Sequence, residues 1–509
     1  MATIEGVDLT NPDRTRLNVA QVDVLRRLLV AVEPSERSMG ADGRLKVSQG
    51  QNVYDVDFEN GLQLLRWETI AVNAGSVAHM PVEGGVRLRV SSAAGDRVVR
   101  QSKPYFRYQP SKGMYCSAAV VFGMPTAGNV KRVGLFDADN GIFFEQDGTG
   151  VGVVKRSSAG QYTADIRIAQ TAFNLDRLDG TGPSGITVDW TRIQMTTMDY
   201  SWYGGGRARL GLVIDGQTVW VHKFTHANSI ARAWMRTGNL PARYEIFNTA
   251  GVAGNVDFMH WGISVVIEGR FDDQRGFTFP YTNGNSRVAV TSRRPILSCR
   301  ITPMSVPVTT GTATGGTTSS LTVSGTPWTI NQFAGAYVLV TAGTLFAAGV
   351  GQVARIISNT ANTLTLENPL TLGAGFTAAP DATTLFSIGY LNRGQLQPRS
   401  IQIQSDANAF CELVFNSALT GANFVKLNSL TSPNSLGERD IAATVSTGGD
   451  VIWSGYVGAN QPAIIPLSDL QVLAGNILGN NPDILSVLAT AATGTANITA
   501  TLINQEAMS

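Results

Sequence analysis

The sequence predicts an all-β protein built of several β-sandwich domains, of jelly-roll or lectin-like type, with one N-terminal helix. Three observations lead to this fold class. Charged residues make up only 15% of the chain, while glycine reaches 54 residues, a composition that favours short strands and turns. Apolar and polar residues alternate in short runs, and turn dipeptides separate those runs. Finally, 509 residues exceed the roughly 250 to 300 at which one core stops growing, so several domains are expected.

The N-terminal region, residues 1–50, is expected to hold the helix and a linker. Residues 12–33 carry apolar side chains at spacings of three and four, and Pro34 ends the pattern: Val22, Leu25, Leu29 and Val32. This apolar stripe predicts docking on the chain's own domain or on a neighbouring subunit, or else a short helical bundle about a symmetry axis. Residues 35–43 are polar and contain glycine, which is typical of a linker.

Residues 51–300 are expected to form a large β-sandwich. Alternation is clear in Val86–Val90, Ala208–Ile214 and Thr218–Phe224, as in half-buried strands. Asp215-Gly216 and Asn140-Gly141 each separate two such runs, which predicts two hairpins.

Two further β domains are expected after residue 300. Residues 301–392 begin with a run rich in glycine and threonine and continue with short strands such as Ala336–Val340, which indicates a small β module. Residues 393–509 alternate again, as in Cys411–Phe415, and predict a second, smaller β-sandwich.

Charge and composition argue against several classes of partner. The 39 basic and 38 acidic side chains give a net charge of +1, so no field favours nucleic acid. No run of 18 apolar residues and no signal peptide is visible, so we expect synthesis in the cytoplasm without membrane insertion. Cys116, Cys299 and Cys411 fit no metal or redox spacing and are expected to be buried small apolar residues.

Histidines and a turn carry the candidate metal chemistry. His222 and His226 would lie about 13 Å apart on one strand face at roughly 3.3 Å per residue, too far to share an ion. A zinc site would also need His79 or His260, so a hydrogen-bonded structural role is favoured for the histidines.

Asp137-Ala-Asp-Asn-Gly141 places two carboxylates in a turn. An EF-hand loop would require an oxygen ligand at Gly141 and a glutamate at Gly148. A hairpin turn is therefore favoured over a surface calcium site.

Other polar and aromatic groups also have plain structural interpretations. Arg26-Arg27 and Arg293-Arg294 are too short to bind polyanions and are expected to pair with acids of neighbouring subunits. Trp202-Tyr203, before Gly204–Gly206, could stack on sugars but is expected to fill the core. No pair of acids stands out for glycoside cleavage. The sequence thus predicts no catalytic, cofactor-binding or metal-binding residue, no cofactor, and no enzyme activity.

Several motifs resemble a family of structural proteins of tailed-bacteriophage virions. Within residues 130–250 they are GLFDADNGIFFE (134–145), DGTGPSG (179–185), DYSWYGGGRAR (199–209), VIDG (213–216) and NLPARYEI (239–246). Residues 311–388 resemble small β domains of phage tail and fibre proteins through WTINQ (328–332) and NTANTLT (359–365). GNNPDILSVLA (479–489) resembles the ends of such proteins, so the resemblance covers about half of the chain.

The resemblance implies a virion component that is synthesised in the host cytoplasm. We expect a tail-associated or baseplate-associated fibre or adhesin that acts by assembly and multivalent attachment, with residues 1–50 attaching it to the particle. A capsid decoration or head-fibre protein is the alternative, and a carbohydrate-binding or carbohydrate-cleaving virion protein is an alternative of another class. Expected partners are other virion proteins, further copies of the chain, with a trimer favoured, and a host-surface glycan or protein.

Overall fold

The computed structural model describes residues 4–7, 17–20, 39–41, 43, 49–160, 164–270, 276–347, 349–430, 434–467 and 472–507. Within these ranges the regular structure is β-strand, apart from two 3₁₀ turns at Gln170–Ala172 and Leu427–Ser429. The predicted all-β class is therefore confirmed. In the same part of the chain, no helix has the length and apolar character needed to cross a membrane.

The predicted N-terminal helix is not present where the structure describes that region. Strands β1 (Ile4–Val7) and β2 (Leu17–Ala20) form an antiparallel pair, so the prediction of a helix over residues 12–33 is wrong at residues 17–20. Pairing with the preceding strand overrides the helical periodicity there. The rest of that helix and the Arg26-Arg27 pair lie outside the described residues.

The first sandwich comprises fifteen strands packed as two sheets. One sheet has the order β12-β11-β10-β9-β16-β7-β4, and the other has the order β15-β14-β13-β8-β17-β6-β5, with β3 paired to β17. The strands are β3 (Gln51–Val56), β4 (Trp67–Val72), β5 (Ser76–Met80), β6 (Gly85–Val90), β7 (Arg97–Ser102), β8 (Met114–Val121), β9 (Asn129–Phe136), β10 (Gly141–Asp147), β11 (Gly150–Ser157), β12 (Ala164–Ala169), β13 (Gln194–Tyr200), β14 (Ala208–Ile214), β15 (Gln217–Phe224), β16 (Ala242–Asn248) and β17 (Val256–Ile267).

Period-two alternation builds the core of this sandwich. On β8, Met114, Cys116, Ala118 and Val120 are buried while the residues between them are partly exposed, because successive side chains of a strand point to opposite faces. Strand β16 differs, since all seven of its residues are buried. Both faces of the seven-stranded sheet are therefore covered along this strand.

The next strands build a small module and the start of a second sandwich. β21 to β29 form the small module, in which one sheet has the order β21-β29-β24-β27-β28-β23-β22 and β25 pairs with β26. In chain order these strands are β18 (Phe277–Thr282), β19 (Val288–Val290), β20 (Arg294–Ile301), β21 (Met304–Thr312), β22 (Gly315–Thr317), β23 (Ser320–Thr322), β24 (Tyr337–Ala342), β25 (Phe346–Ala347), β26 (Val350–Gly351), β27 (Val353–Asn359), β28 (Thr363–Glu367) and β29 (Leu385–Leu391).

The C-terminal strands complete the second sandwich together with β18, β19 and β20. One sheet has the order β18-β39-β30-β37, with β19 also on β39, the other has the order β33-β34-β20-β38-β31-β36, and β32 pairs with β35. The strands are β30 (Gln395–Ser405), β31 (Ala409–Phe415), β32 (Ala418–Thr420), β33 (Val425–Lys426), β34 (Gly437–Asp440), β35 (Val445–Thr447), β36 (Asp450–Val457), β37 (Ala463–Pro466), β38 (Leu485–Ala491) and β39 (Ala496–Ala507).

One segment that was expected in the first sandwich belongs by its strand pairing to the second sandwich. Residues 277–301, all but the last inside the range 51–300 expected for the large sandwich, pair with strands from residues 395–507. The expected boundaries near residues 50, 300 and 392 stay predictions. The three modules also share an apolar contact, formed by Val99, Leu370 and Ile477.

The segment expected to be a linker is docked where it is described. Arg207 donates to the carbonyl oxygens of Gly40 and Ala41 at 2.8 Å each, and Arg209 donates to Met39 O at 2.7 Å. Gly40 and Ala41 are buried. Residues 39–41 therefore contact the first sandwich, because the partly buried Arg207 and the buried Arg209 satisfy their carbonyls. The linker role of the wider segment stays a prediction.

Candidate functional site

The four histidines occupy separate structural positions. His79 Nε2 lies 2.9 Å from Phe58 O, His222 Nδ1 accepts from Asn174 N at 3.3 Å, and His226 Nδ1 donates to Gly206 O at 2.5 Å. The His260 ring stacks at 3.8 Å on a core tyrosine ring. Among the described residues, no group of three or more histidine, cysteine or acidic side chains could hold a metal ion.

The 137–141 turn lies at a junction between modules. It forms the predicted hairpin, with Phe136 opposite Gly141, and Asp137 and Asp139 are each 2% exposed. Their carboxylates contact cationic groups of the following modules, Arg393 at 2.8 Å and Arg355 at 3.3 Å respectively. These contacts leave no surface calcium site at the turn.

Electrostatic compensation keeps this junction ionised. Burial alone would raise the pKa of Asp137, but Arg393 and the backbone N–H groups of Asn140 and Asp139 outweigh it, so the pKa lies below its usual range. Asp139 Oδ1 also accepts from the Tyr337 hydroxyl at 2.8 Å. The turn therefore joins the first sandwich to the small module through buried polar contacts.

The remaining sequence candidates have structural contacts within the chain. The Trp202 indole donates to Met235 O at 3.0 Å and packs against the core, whereas Tyr203 is exposed. Arg293 donates to Glu412 at 2.6 Å, so the expectation that it pairs with an acid of a neighbouring subunit is wrong. Arg294 donates to Ala289 O at 3.4 Å.

The three cysteines are buried, as expected. Burial raises the pKa of the Cys299 and Cys411 thiols to about 12. Such thiols are not reactive thiolates at neutral pH.

A cleft of about 1000 Å³ lies where the three modules meet, within the volume range of ligand sites. The first sandwich contributes residues 64–69 and Lys103, the small module contributes the 346–351 hairpin, and the second sandwich contributes residues 416–426 and 475–484. Its six charged side chains are Glu68, Lys103, Arg300, Lys426, Glu438 and Asp483. We take this cleft as the candidate functional site.

Glu68 is the most perturbed acid of the cleft. It lies on β4, and its Oε2 accepts from the Ile477 N–H at 2.6 Å. Burial raises the pKa of Glu68 to about 6, against the opposing effects of that hydrogen bond and of Lys103. A carboxyl group with such a pKa can hold or release a proton near neutral pH.

The other acids of the cleft are ion-paired. Lys103 Nζ lies 3.0 Å from Asp483 Oδ1, which also accepts from the Asn416 amide at 2.8 Å. Arg300 Nε lies 2.8 Å from Glu438 Oε2, and burial raises the pKa of Glu438 against the influence of Arg300.

Sequence reasoning missed this site. Glu68 stands in the unremarkable stretch Leu64-Leu-Arg-Trp-Glu68, and Asp483 and Glu438 follow more than 350 residues later. No spacing rule links residues that three modules bring together. The signal that could have found Asp483 was the motif at 479–489, whose residues 480–484 line the cleft.

Comparisons with known proteins give structural similarities only. No family model and no curated protein matches the chain. A glycosyl hydrolase family 16 protein from Mycobacterium smegmatis is 11% identical, with a TM-score of 0.29, over 42% of this chain and 100% of its own. A Crh5 transglycosylase is 17% identical, with a TM-score of 0.27, over 46% and 88%. An engineered GH43 glycoside hydrolase is 16% identical, with a TM-score of 0.28, over 49% and 48%.

These similarities correct one expectation. The prediction that the chain is not an enzyme is contradicted, because the similar solved structures are glycoside hydrolases and a transglycosylase. At TM-scores below 0.3, these similarities assign no reaction to this chain.

Proposed function

We propose that the chain is a structural component of a tailed-phage virion, of the tail-associated or baseplate-associated fibre or adhesin kind. The motifs at 134–145 and 239–246, which resemble such proteins, supply β9, β10 and β16 of the first sandwich. The observation that carries the proposal is the buried junction at 137–141, which joins this sandwich to Arg355 and Arg393 of the following modules. Modules joined by buried ion pairs in this way suit a protein that bears mechanical force between the particle and the host.

Assembly would supply the mechanism. Strands β36 and β37 lie at the edges of the two sheets of the second sandwich, and each exposes a large apolar side chain, Tyr456 at 79% and Ile464 at 67%. Open edges of this kind favour pairing with another chain. We expect a homo-oligomer, with a trimer favoured, in which many weak contacts add up to tight attachment.

Cryo-electron microscopy of the intact particle tests the proposal. Density for this chain on the tail or baseplate would support the fibre or adhesin role. Density over the capsid shell would favour the alternative, a capsid decoration or head-fibre protein. Absence of the chain from purified particles would refute both.

A second candidate function is carbohydrate binding or cleavage, favoured by the cleft and by Glu68. A carboxyl group with a pKa of about 6 could protonate a leaving glycosidic oxygen. The test is release of reducing ends from host-surface polysaccharide by the full-length protein and by Glu68→Gln. Loss of cleavage in Glu68→Gln, with assembly unchanged, supports the enzyme. No cleavage by the wild type across the polysaccharides tested refutes the enzymatic form.

A further inference from the structure

The charges of the three-module cleft cancel one another. Three acids face three bases, and two pairs are closed by contacts of 3.0 Å (Lys103–Asp483) and 2.8 Å (Arg300–Glu438). A third cation, Lys426, lies near Glu438. The cleft therefore presents little net field to attract a charged polymer.

Neutral hydrogen-bonding groups in the cleft are left without partners. Ser417 is 3% exposed, and its buried hydroxyl makes no hydrogen bond within the described part of the chain. Asn423 and Asn481 use their backbone N–H groups, on Asp440 and Asn476 respectively. In the same described ranges the side-chain amides of these two asparagines have no hydrogen-bond partner within the protein, and both residues are exposed in the lining of the cleft. A buried polar group without a partner costs free energy, so a ligand that bonds to the Ser417 hydroxyl gains affinity. The exposed amides of Asn423 and Asn481 add donors and acceptors at the surface of the cleft.

The cleft also exposes apolar surface beside these groups. Phe346, paired with Gly351 at the open end of the β25–β26 hairpin, is 37% exposed, and Leu64, on the opposite module, is 65% exposed. An aromatic face packs well against the C–H surface of a sugar ring. Ligand sites combine such apolar walls with a few convergent polar groups.

We infer that this cleft is a binding site for an uncharged glycan segment, held by the Ser417, Asn423 and Asn481 side chains and stacked on Phe346. Sugar hydroxyls both donate and accept, so they match a serine hydroxyl and two amides. Because all three modules line the site, it exists only while they are docked together. The inference rests on the proposed attachment role, for which it names the class of receptor.

Calorimetric titration of the full-length protein tests this inference. The probes are neutral oligosaccharides (glucans, mannans, galactans and rhamnans of six to eight sugars) and acidic ones of equal length (polygalacturonate and polysialate). The variants are Phe346→Ala and Asn481→Ala. Phe277→Ala, a 68% exposed aromatic on β18 outside the cleft, is the matched control.

We expect a neutral oligosaccharide to bind the wild type and the control equally. Phe346→Ala should weaken that binding about tenfold or more, the size of an anchoring aromatic contact. Circular dichroism would establish that each variant is folded. Binding restricted to acidic chains, equal binding by Phe346→Ala and wild type, or no binding to any probe overturns the inference. Particles that retain the chain on the tail while it fails to bind would leave the virion role standing and remove only the glycan site.

Discussion

Replacing Arg393 by alanine should open the junction between the modules. The guanidinium group lies 2.8 Å from Asp137 and 3.6 Å from Asp139, and it also donates to the Tyr105 hydroxyl. In Arg393→Ala, Asp139 keeps Arg355 and Tyr337, but Asp137 becomes a buried carboxylate without its cationic partner. Removing one member of a buried ion pair costs about 3–5 kcal/mol.

Urea unfolding followed by tryptophan fluorescence measures this loss. With a slope of about 2 kcal/mol per molar, the first transition should move down by about 1.5 to 2.5 M. A chain of several modules need not unfold in one step, so the comparison concerns that first transition alone. Arg192→Ala is the control, because Arg192 is 81% exposed and its ion pair with Asp189 lies in solvent, which predicts a change within about 0.5 kcal/mol.

Two results would refute this reasoning. One is a shift for Arg393→Ala no larger than that for Arg192→Ala. The other is strict additivity of Arg393→Met and Asp137→Asn in a double-mutant cycle, since residues in one ion pair should couple. The expected outcome is that the double variant recovers part of the loss, because no unpaired charge is then left buried.

Three further predictions concern single sites. The pKa of Glu68 is raised from 4.5 to about 6, so the wild type should lose up to about 2 kcal/mol of stability relative to Glu68→Gln as pH rises through that window. Urea midpoints at pH 4 and pH 7 check this prediction. An equal difference between the two proteins at both pH values would contradict it. His226 stacks at 4.6 Å on Trp234, and burial lowers its pKa to about 4. Stability should therefore fall by about 3 kcal/mol as pH drops from 6.5 to 4. His226→Gln should remove that pH dependence in the same urea assay. Gly141 has φ +148°, and an added Cβ would lie 2.4 Å from a backbone atom of the facing strand, so Gly141→Ala should cost more than 3 kcal/mol of stability. Gly216 has open space around it, so Gly216→Ala should cost only about 1 kcal/mol. Equal shifts of the thermal unfolding midpoint in the two variants would argue against the clash.

The residue types in the turns allowed the hairpins to be predicted from the sequence. Asp215 and Gly216 have φ of 49° and 73° and join Ile214 to its partner Gln217, as in a two-residue turn that needs positive φ at both positions. The second predicted hairpin, between β9 and β10, also forms, with a four-residue turn at 137–140. Such turns depend on residues that are neighbours in the chain, so their geometry follows from the sequence.

Alternation could not show which polar face would be buried. Arg243 and Glu245 alternate with apolar residues on β16, an arrangement that often places polar side chains on a solvated face, yet they are 1% and 0% exposed. Glu245 contacts Arg97 at 2.5 Å and Arg132 at 3.5 Å, so an ion-paired layer covers that side of the sheet. The identity of these partners depends on strand order, which no local pattern specifies.

The amino-acid sequence by itself determined the β class, the hairpin turns and the burial of the cysteines, because composition, turn residues and period-two alternation act over a few residues. The tertiary structure decided the rest. It brought Glu68 to Asp483 across more than 400 residues, made the 137–141 turn a junction rather than a surface loop, and moved residues 277–301 into the C-terminal sheets. The physical reason is that long-range pairing and buried charge compensation depend on which modules dock, and docking is a property of the folded surfaces as a whole.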